Sequence, residues 1–276
     1  MSSRVRLARN LAGFPFVHRA TPEERLGVLS ACRRQLSSLP ASLTGGSAAS
    51  PLSWIDACWA QISAVDDALE AGLEYAFAQR FGYLTACPTN VGTGLRMSVM
   101  LHLPGLRLTG DIEKVKRAAA DMNLAVRGFY GEGSEAAGDF YQVSNQTTLG
   151  KVEGVVLHEL QQEIIPQIIE YERVSREALM SKRRPTLEDT VHRAAALLTH
   201  ARLLSTDEAM QLLSHARLGV HLGLLRDIDG ARVNRLMLTV QPAHLQRAAG
   251  RELDQEQRRY ARALVVREVL AGAREA

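Results

Sequence analysis

The stretch that decides the fold is Cys87-Pro88-Thr89-Asn90-Val91-Gly92-Thr93-Gly94-Leu95-Arg96. Two glycines bracket Thr93 and allow the backbone to approach a ligand closely. Arg96 opens the segment that follows, residues 96–103, in which polar and apolar side chains roughly alternate as in a half-buried strand. The stretch contains no Gly-Lys-Ser/Thr and no dinucleotide fingerprint, so it is neither a Walker A loop nor a Rossmann turn. Taken alone, it predicts a turn that leads into a strand.

Two further segments place arginine where phosphate chemistry could use it. Arg4 and Arg6 are two residues apart, so in an extended strand both side chains project from the same face. Arg127 precedes the glycine-rich run 131–135, which carries Glu132. A carboxylate on such a loop could close over a substrate. Each segment also has a plainer interpretation, a solvated terminus for the first and a hairpin connection with an exposed Glu132 for the second.

Helical spacing and capping signals occur along most of the chain, whereas strand-like alternation is confined to its middle. Thr21 with Glu24, and Ser205 with Glu208, have the spacing of capping boxes. The predicted helices cover residues 21–36, 54–80, 111–122, 148–180 with Pro166 as a candidate break, 187–204, 206–216 and 255–273. The predicted strands cover residues 96–103, 124–130 and 140–144. This distribution predicts an α+β fold with an all-helical C-terminal part.

The amino-acid composition indicates in which cellular compartment the protein works and which classes of partner are excluded. The 276 residues carry a net charge of +3, and the basic residues are spread along the chain rather than gathered in one stripe, which argues against nucleic-acid binding. Cys32, Cys58 and Cys87 are few and lack CxxC spacing, which argues against a disulfide framework or a zinc site and for a reducing compartment. No run of eighteen apolar residues occurs, so we expect a cytoplasmic protein without a membrane span or signal peptide.

Three blocks taken together resemble the signature segments of the ATP:guanidino phosphotransferases, or phosphagen kinases. The blocks are residues 2–10 (SSRVRLARN), 82–104 and 126–151. The Cys-Pro-Thr-Asn-x-Gly-Thr motif at 87–93 is typical of the whole superfamily. The run Gly-Glu-Gly-Ser-Glu-Ala at 131–136 is similar to the bacterial protein-arginine kinases rather than to creatine or arginine kinases, and so is the helical C-terminal portion.

The resemblance implies a fold, an activity and partners. The expected fold is a mostly antiparallel sheet flanked by helices in a catalytic domain, 1–182, shortened around 37–60, with a helical C-terminal domain, 183–276. The implied activity is ATP- and Mg²⁺-dependent phosphorylation of arginine side chains in proteins, which marks them for proteolysis in a stress response. The implied partners are protein substrates with exposed arginine, an activator protein, a Clp-type protease and a second copy of the chain; no metal ligands are expected.

The resemblance also assigns residues to roles. Arg4, Arg6, Arg96 and Arg127 would bind the ATP phosphates and the transferring phosphoryl group, since such transfer depends on positioning and charge neutralisation. Glu132 would orient the acceptor guanidinium and help take its proton, and Cys87 would tune its placement. The catalytic set is Glu132, Cys87, Arg96 and Arg127. The expected nucleotide-binding residues are Ser2, Ser3, Arg4, Val5, Arg6, Arg96, Met97, Ser98, Val99, Met100, Arg127, Gly128, Phe129, Tyr130, Gly131 and Glu132.

A C-terminal motif is expected to recognise phosphoarginine allosterically. Protein-arginine kinases carry Arg-Asp-x-x-Arg-Ala there, and this chain carries Arg258 and Arg262 at the two arginine positions. Arg259 stands where the family has the carboxylate, so the motif keeps its two arginines and lacks its acidic residue. A basic, solvent-facing helix is the alternative interpretation.

The chain departs from the family pattern upstream. Relatives place a long segment before the helix that leads to Cys87; it carries strands, a nucleotide-contacting His, a phosphate-binding Arg and a second catalytic carboxylate. Here a Ser/Gly/Pro-rich join, 37–53, occupies its place, and the chain begins almost directly on Ser2 without the usual leader. One alternative is therefore a catalytically impaired member that binds nucleotide or phosphoarginine as a regulatory protein. A cysteine hydrolase pairing Cys87 with His102 or His158 is the third hypothesis.

Overall fold

The computed structural model describes residues 2–16, 18–36, 53–128 and 137–272. A four-stranded sheet has the strand order β1-β4-β6-β5 and is antiparallel, and β2 and β3 form a separate two-stranded hairpin. The strands are β1 (Ser2–Leu7), β2 (Phe77–Ala78), β3 (Gly82–Tyr83), β4 (Leu95–His102), β5 (Leu124–Arg127) and β6 (Phe140–Asn145).

Eleven α-helices account for most of the remaining described residues. They are α1 (Pro22–Leu36), α2 (Ser53–Glu70), α3 (Pro104–Thr109), α4 (Ile112–Asp121), α5 (Glu153–His158), α6 (Ile165–Lys182), α7 (Arg184–His200), α8 (Thr206–His221), α9 (Gly230–Thr239), α10 (Pro242–Ala249) and α11 (Gln255–Leu270). The strands lie in the middle and at the start of the chain, and every described element after β6 is a helix. The predicted α+β class is confirmed. Within the described residues, no helix combines the length and apolar character needed to cross a membrane.

The chain divides into two compact units that do not follow a single cut in the sequence. The first comprises residues 1–101, 113–126 and 142–169, and the second comprises 102–112, 127–141 and 170–276. The predicted boundary between 182 and 183 therefore stays a prediction. In the first unit, alternation along β4 buries Leu95, Met97 and Val99 on one face, because successive side chains of a strand point to opposite faces.

The second unit has its own helical core. Leucine, valine and alanine side chains from α7, α8, α9 and α11 are almost fully buried there, including Val191, Leu213, Leu236 and Val266. Burial of this apolar surface is the main stabilising term for a helical bundle of this kind. Ser205 and Glu208 form the predicted capping box at the start of α8.

Several predicted helices have different bounds in the structure: α7 is Arg184–His200 rather than 187–204, and α8 extends to His221 rather than to 216. The helix predicted over 54–80 ends at Glu70, and the chain turns there into the β2–β3 hairpin. The helix predicted over 148–180 begins at Glu153, while Thr148 belongs to a preceding loop. The predicted break at Pro166 takes the form of a π-helical turn (Glu159–Ile164), which separates α5 from α6 just before Pro166, a residue with no N–H to donate.

Candidate active site

The pairing of β1 with β4 places the predicted phosphate-binding arginines on one face of the sheet. Arg6 lies directly opposite Arg96, and Arg4 lies opposite Ser98, in antiparallel register. Arg4 and Arg6 are exposed, and Arg96 is half-buried, with its Nη2 3.4 Å from Ser144 Oγ on β6. Among the described residues no ion pair engages Arg4 or Arg6. This face therefore presents clustered guanidinium groups, which are suited to bidentate phosphate contacts.

Cys87 stands beside this arginine face, directly before a short 3-10 turn. The turn, Pro88–Asn90, follows Cys87, and the Asn90 amide donates to the Cys87 carbonyl at 3.0 Å. The Cys87 thiol is exposed, and its Sγ lies 3.0 Å from Thr89 Oγ1. Hydrogen bonds from Thr89 and the positive charges of Arg6 and Arg96 lower the pKa of the Cys87 thiol below its ordinary value. A thiolate is favoured where cations and donors surround it.

Thr148 holds this loop in place, a role that the sequence did not indicate. Its hydroxyl lies 2.7 Å from the Val91 carbonyl and 3.0 Å from the Thr89 carbonyl. The Thr148 carbonyl in turn accepts from the Thr93 amide at 3.0 Å. The close approach requires glycine at 92, where φ is +112° and an added Cβ would lie 2.2 Å from the Thr148 carbonyl oxygen.

Asn145 at the end of β6 is a second positioning residue that pattern reasoning missed. It is buried; its Oδ1 accepts from the Met97 amide at 2.8 Å, and its Nδ2 donates to the Leu95 carbonyl at 2.9 Å. These bonds fix the backbone on either side of Arg96. A buried Asn at a strand end that satisfies both neighbouring backbone groups is recognisable only after the strand pairing is known.

The other predicted site residues fall into three groups. Ser2 and Ser3 lie on β1 with Val5, and Ser98 and Met100 lie on β4, whereas Met97 and Val99 are buried with their side chains on the opposite face from Arg96. Arg127 ends β5 and Gly128 follows it, both in the second unit. Phe129, Tyr130, Gly131 and Glu132 lie outside the described residues. The structure thus brings together Arg4, Arg6, Arg96 and Cys87.

The predicted allosteric arginines are held by backbone carbonyls. Arg262 is 2% exposed; its Nε donates to the Val240 carbonyl and its Nη1 to the Leu204 carbonyl, both at 2.8 Å. Arg258 donates to the Leu253 carbonyl. These contacts give both residues a structural role in the helical unit, and phosphoarginine recognition by Arg258 and Arg262 stays a prediction.

The histidines of the hydrolase hypothesis have other surroundings. His102 is buried, and its Nε2 lies 2.8 Å from Ser214 Oγ of α8. His158 is exposed at the end of α5. Among the described residues no hydrogen bond links His158 to Cys87, and no cluster of three or more His, Cys, Asp or Glu suited to a metal ion is found in those ranges.

Comparison with protein-family models gives two matches that divide the chain. A model of the ATP:guanido phosphotransferase C-terminal catalytic domain matches residues 49–175. A model of the protein-arginine kinase McsB C-terminal domain matches residues 184–276.

The curated relatives that this chain resembles are named protein-arginine kinases. The protein-arginine kinase of Pelotomaculum thermopropionicum is 38% identical over 328 aligned positions, which cover 98% of this chain and 92% of that protein. The protein-arginine kinase of Clostridium kluyveri (strain ATCC 8527) is 49% identical over 207 residues, covering 75% of this chain and 60% of the relative. That of Symbiobacterium thermophilum is 50% identical over 209 residues, covering 76% and 59%. The chain thus spans about 60% of the length of several of these relatives.

Solved structures share the fold at low sequence identity. A crystal structure of lombricine kinase superposes with a TM-score of 0.50 at 21% identity, covering 65% of this chain and 66% of that one. The duplicated taurocyamine kinase from Schistosoma mansoni, with bound transition state analog components, gives a TM-score of 0.53 at 20% identity, covering 73% and 38%.

Proposed function

The chain belongs to the protein-arginine kinases of the ATP:guanido phosphotransferase family, and on that premise we propose that it phosphorylates arginine side chains in proteins with ATP. The observation that carries the proposal is the pairing of Arg6 with Arg96 beside the Cys87 thiol. Clustered guanidinium groups suit the phosphates of a nucleotide, and the lowered pKa of the Cys87 thiol favours the thiolate, which attracts a cationic acceptor. One face of the sheet thus offers complementary charge to both reactants.

The proposed reaction exchanges one bond to phosphorus for another. The bond between the γ-phosphorus and its bridging oxygen to ADP breaks as a bond forms between that phosphorus and a guanidinium nitrogen of the acceptor arginine. Arg4, Arg6, Arg96 and Arg127 neutralise the charge on the phosphate oxygens. The proton that leaves the attacking nitrogen passes to a carboxylate, the role proposed for Glu132, because a guanidinium with a pKa above ~12 is not a nucleophile while fully protonated.

The arginine face fits a magnesium nucleotide. Its side chains are cationic forks that match phosphate oxygens rather than metal ions. Mg²⁺ would enter with ATP and supply neutralisation of the β- and γ-phosphate charge. Arg4 and Arg6 would hold the nucleotide from β1, and Arg96 would contact the transferring group from β4.

An assay for phosphoarginine tests the proposal. The purified chain is incubated with ATP, Mg²⁺ and an unfolded arginine-rich protein, and phosphate on arginine is identified by its acid lability and by mass spectrometry. We expect Arg96→Ala to lower the rate by ~10²–10³, the usual effect of removing one charge-stabilising group. Arg193→Ala, at an exposed arginine of α7, is the matched control and should leave the rate unchanged. No phosphoarginine from the unaltered chain would contradict the proposal.

A second candidate function is favoured by the length of one alignment. The Pelotomaculum relative aligns over 328 positions, more than the 276 residues of this chain, so the relative has residues that this chain lacks. A member without part of its site could bind nucleotide or phosphoarginine as a regulatory or interaction protein. Titration calorimetry with MgATP, together with the phosphoarginine assay, separates the two candidates. Binding of MgATP without phosphoarginine formation supports the regulatory protein, whereas phosphoarginine formation excludes it.

The proposed setting is a cytoplasmic stress response in which phosphorylated proteins pass to a Clp-type protease, with an activator protein and a dimeric kinase. The three free cysteines, Cys32, Cys58 and Cys87, support a reducing compartment. Leu238 on α9 and Tyr260 on α11 are exposed and could contribute to a dimer through the C-terminal helices. Light scattering tests the dimer directly, and a mass of one 30.3 kDa chain at micromolar concentration would exclude it.

A further inference from the structure

Arg9 belongs to the same N-terminal block as Arg4 and Arg6, yet its guanidinium is fully engaged within the protein. Nε and Nη2 donate to Asp66 Oδ2 at 3.1 and 2.7 Å, and Nη2 also donates to Glu153 Oε1 at 3.2 Å. Nη1 donates to the carbonyls of Thr93 at 2.7 Å and Ala8 at 3.3 Å. These five contacts match the five N–H donors of an arginine, so none remains for a phosphate.

The Arg9 side chain is also buried between rings. It is 9% exposed, and its Cζ lies 3.7 Å from the centroid of the Tyr83 ring and 5.8 Å from that of Tyr75. The Tyr75 hydroxyl donates to Asp66 Oδ1 at 3.0 Å, which orients the carboxylate that Arg9 contacts. Tyr83 exchanges backbone hydrogen bonds with Gly92, at 2.8 and 3.3 Å. The positive charge of Arg9 is therefore paired with the carboxylates of Asp66 and Glu153, and its guanidinium plane packs on the Tyr83 ring.

The Thr93 carbonyl is the contact through which Arg9 reaches the proposed active site. Thr93 lies between two glycines with positive φ, +112° at Gly92 and +63° at Gly94. A Cβ at Gly94 would lie 2.9 Å from Arg9 Nη1, so the guanidinium packs directly against this bend. The bend joins the Cys87 turn to Arg96, and its conformation therefore sets the placement of both.

From these contacts we propose that Arg9 is a positioning residue, which acts through the Thr93 carbonyl and the Tyr83 ring to align Cys87 and Arg96. The inference deepens the proposed kinase function and rests on it for its kinetic consequence. Its structural part, the placement of the bend, is measured at Cys87 and does not depend on turnover. Arg9 thus differs in role from Arg4 and Arg6, although all three lie within six residues of sequence.

Lysine cannot replace Arg9 in this role. A lysine ammonium carries three donors instead of five and has no plane to stack on Tyr83. Arg9→Lys keeps the positive charge opposite Asp66 but loses the simultaneous contacts to Thr93 and Glu153. The Arg9→Lys variant therefore separates two effects of Arg9: its alignment of the bend at Thr93 and its neutralisation of the Asp66 charge. Asp66→Asn provides a second test of the same contact. It keeps the arginine at position 9 but removes the carboxylate charge that orients its guanidinium.

The test measures the alkylation of Cys87 against pH, resolved by mass spectrometry of the Cys87 peptide, together with kcat and the KM for ATP. In Arg9→Lys we expect the midpoint of Cys87 alkylation to shift to higher pH, because Cys87 moves away from Arg6 and Arg96. Arg4 and Arg6 keep their own backbone pairing, so the KM for ATP should change less than twofold, as a rough bound, while kcat falls ~10²-fold. Arg193→Lys is the matched control.

Each outcome supports the inference or overturns it. Arg9→Lys with a lowered melting temperature but the unaltered Cys87 profile and kcat would show a purely structural role and overturn the inference. If Arg9→Lys does not fold, Asp66→Asn decides by the same two readouts. If the unaltered chain forms no phosphoarginine, the proposed function has failed, and the Cys87 profile then decides the positioning role by itself.

Discussion

Proton positions in a buried network of the second unit follow from its distances. Ser214 Oγ lies 2.5 Å from Asp139 Oδ2 and 2.8 Å from His102 Nε2. Because a carboxylate only accepts, Ser214 donates to Asp139 and must accept from His102, whose proton therefore sits on Nε2. Gln211 Nε2 donates to Asp139 at 3.0 Å and to His215 Nε2 at 2.9 Å, which places the His215 proton on Nδ1. Because its Nε2 accepts, the His215 imidazole is neutral in this arrangement.

Acidification should destabilise the second unit through His102. Burial, with the nearby positive charges of Arg217 and Arg176, holds the pKa of His102 well below its ordinary value, and its Nδ1 has no partner among the described residues. The unfolded chain, with a histidine pKa of about 6.5, therefore binds a proton more readily than the folded one. This contribution to stability is complete above pH ~6.5 and is lost as pH falls through that value, by at most ~1.4 kcal/mol per pH unit.

The measurement is the free energy of unfolding by urea at pH 7.5 and pH 5.5. The loss between the two pH values should be smaller in His102→Gln than in the unaltered protein, by about 1 kcal/mol. His192→Gln, at an exposed position of α7, is the control and should keep the full loss. An equal pH dependence in all three proteins would contradict the assignment to His102.

At the scale of the elements, local signals were sufficient wherever a few neighbouring residues decide the structure. The capping boxes of Thr21 with Glu24 and of Ser205 with Glu208 are both confirmed. Thr148 falls within a predicted helix but lies in the loop before α5, because it bonds the carbonyls of Thr89 and Val91, which are 57 or more residues away and leave no local pattern. The helix predicted to reach residue 80 ends ten residues earlier, since apolar spacing at its end also suits a short hairpin.

The bend at Gly92 allows a matched test of this loop. Gly92 and Gly150 both have positive φ, +112° and +80°, but a Cβ at Gly92 would meet the Thr148 backbone whereas one at Gly150 would meet nothing within 4 Å. We expect Gly150→Ala to lower the free energy of unfolding by ~1–2 kcal/mol, the cost of a left-handed conformation. Gly92→Ala should lower the free energy of unfolding by more than Gly150→Ala does. It should also slow phosphoarginine formation, because the loop that carries Cys87 must move to make room for the added Cβ. If Gly92→Ala and Gly150→Ala lower the free energy of unfolding equally and form phosphoarginine at equal rates, the close approach of Gly92 to Thr148 is unimportant.

At the scale of the whole molecule, the arginine blocks predicted the family, and the family predicted the sheet and helices around them. The order of the strands and the contacts of Arg9 and Asn145 could not be predicted from one sequence, because they depend on residues far apart in the chain.

The central claim is that the face carrying Arg6, Arg96 and Cys87 is the site of phosphoryl transfer. Protection of Cys87 from alkylation by MgATP and an arginine-rich peptide, with Cys32 as the internal reference, tests this claim most directly. We predict that saturating MgATP with an arginine-rich peptide slows alkylation of Cys87 at least ~10-fold, because the reactants cover the exposed thiol and its arginine neighbours. Cys32 should react at an unchanged rate. Alkylation of Cys87 at the same rate with and without nucleotide and peptide would contradict the account.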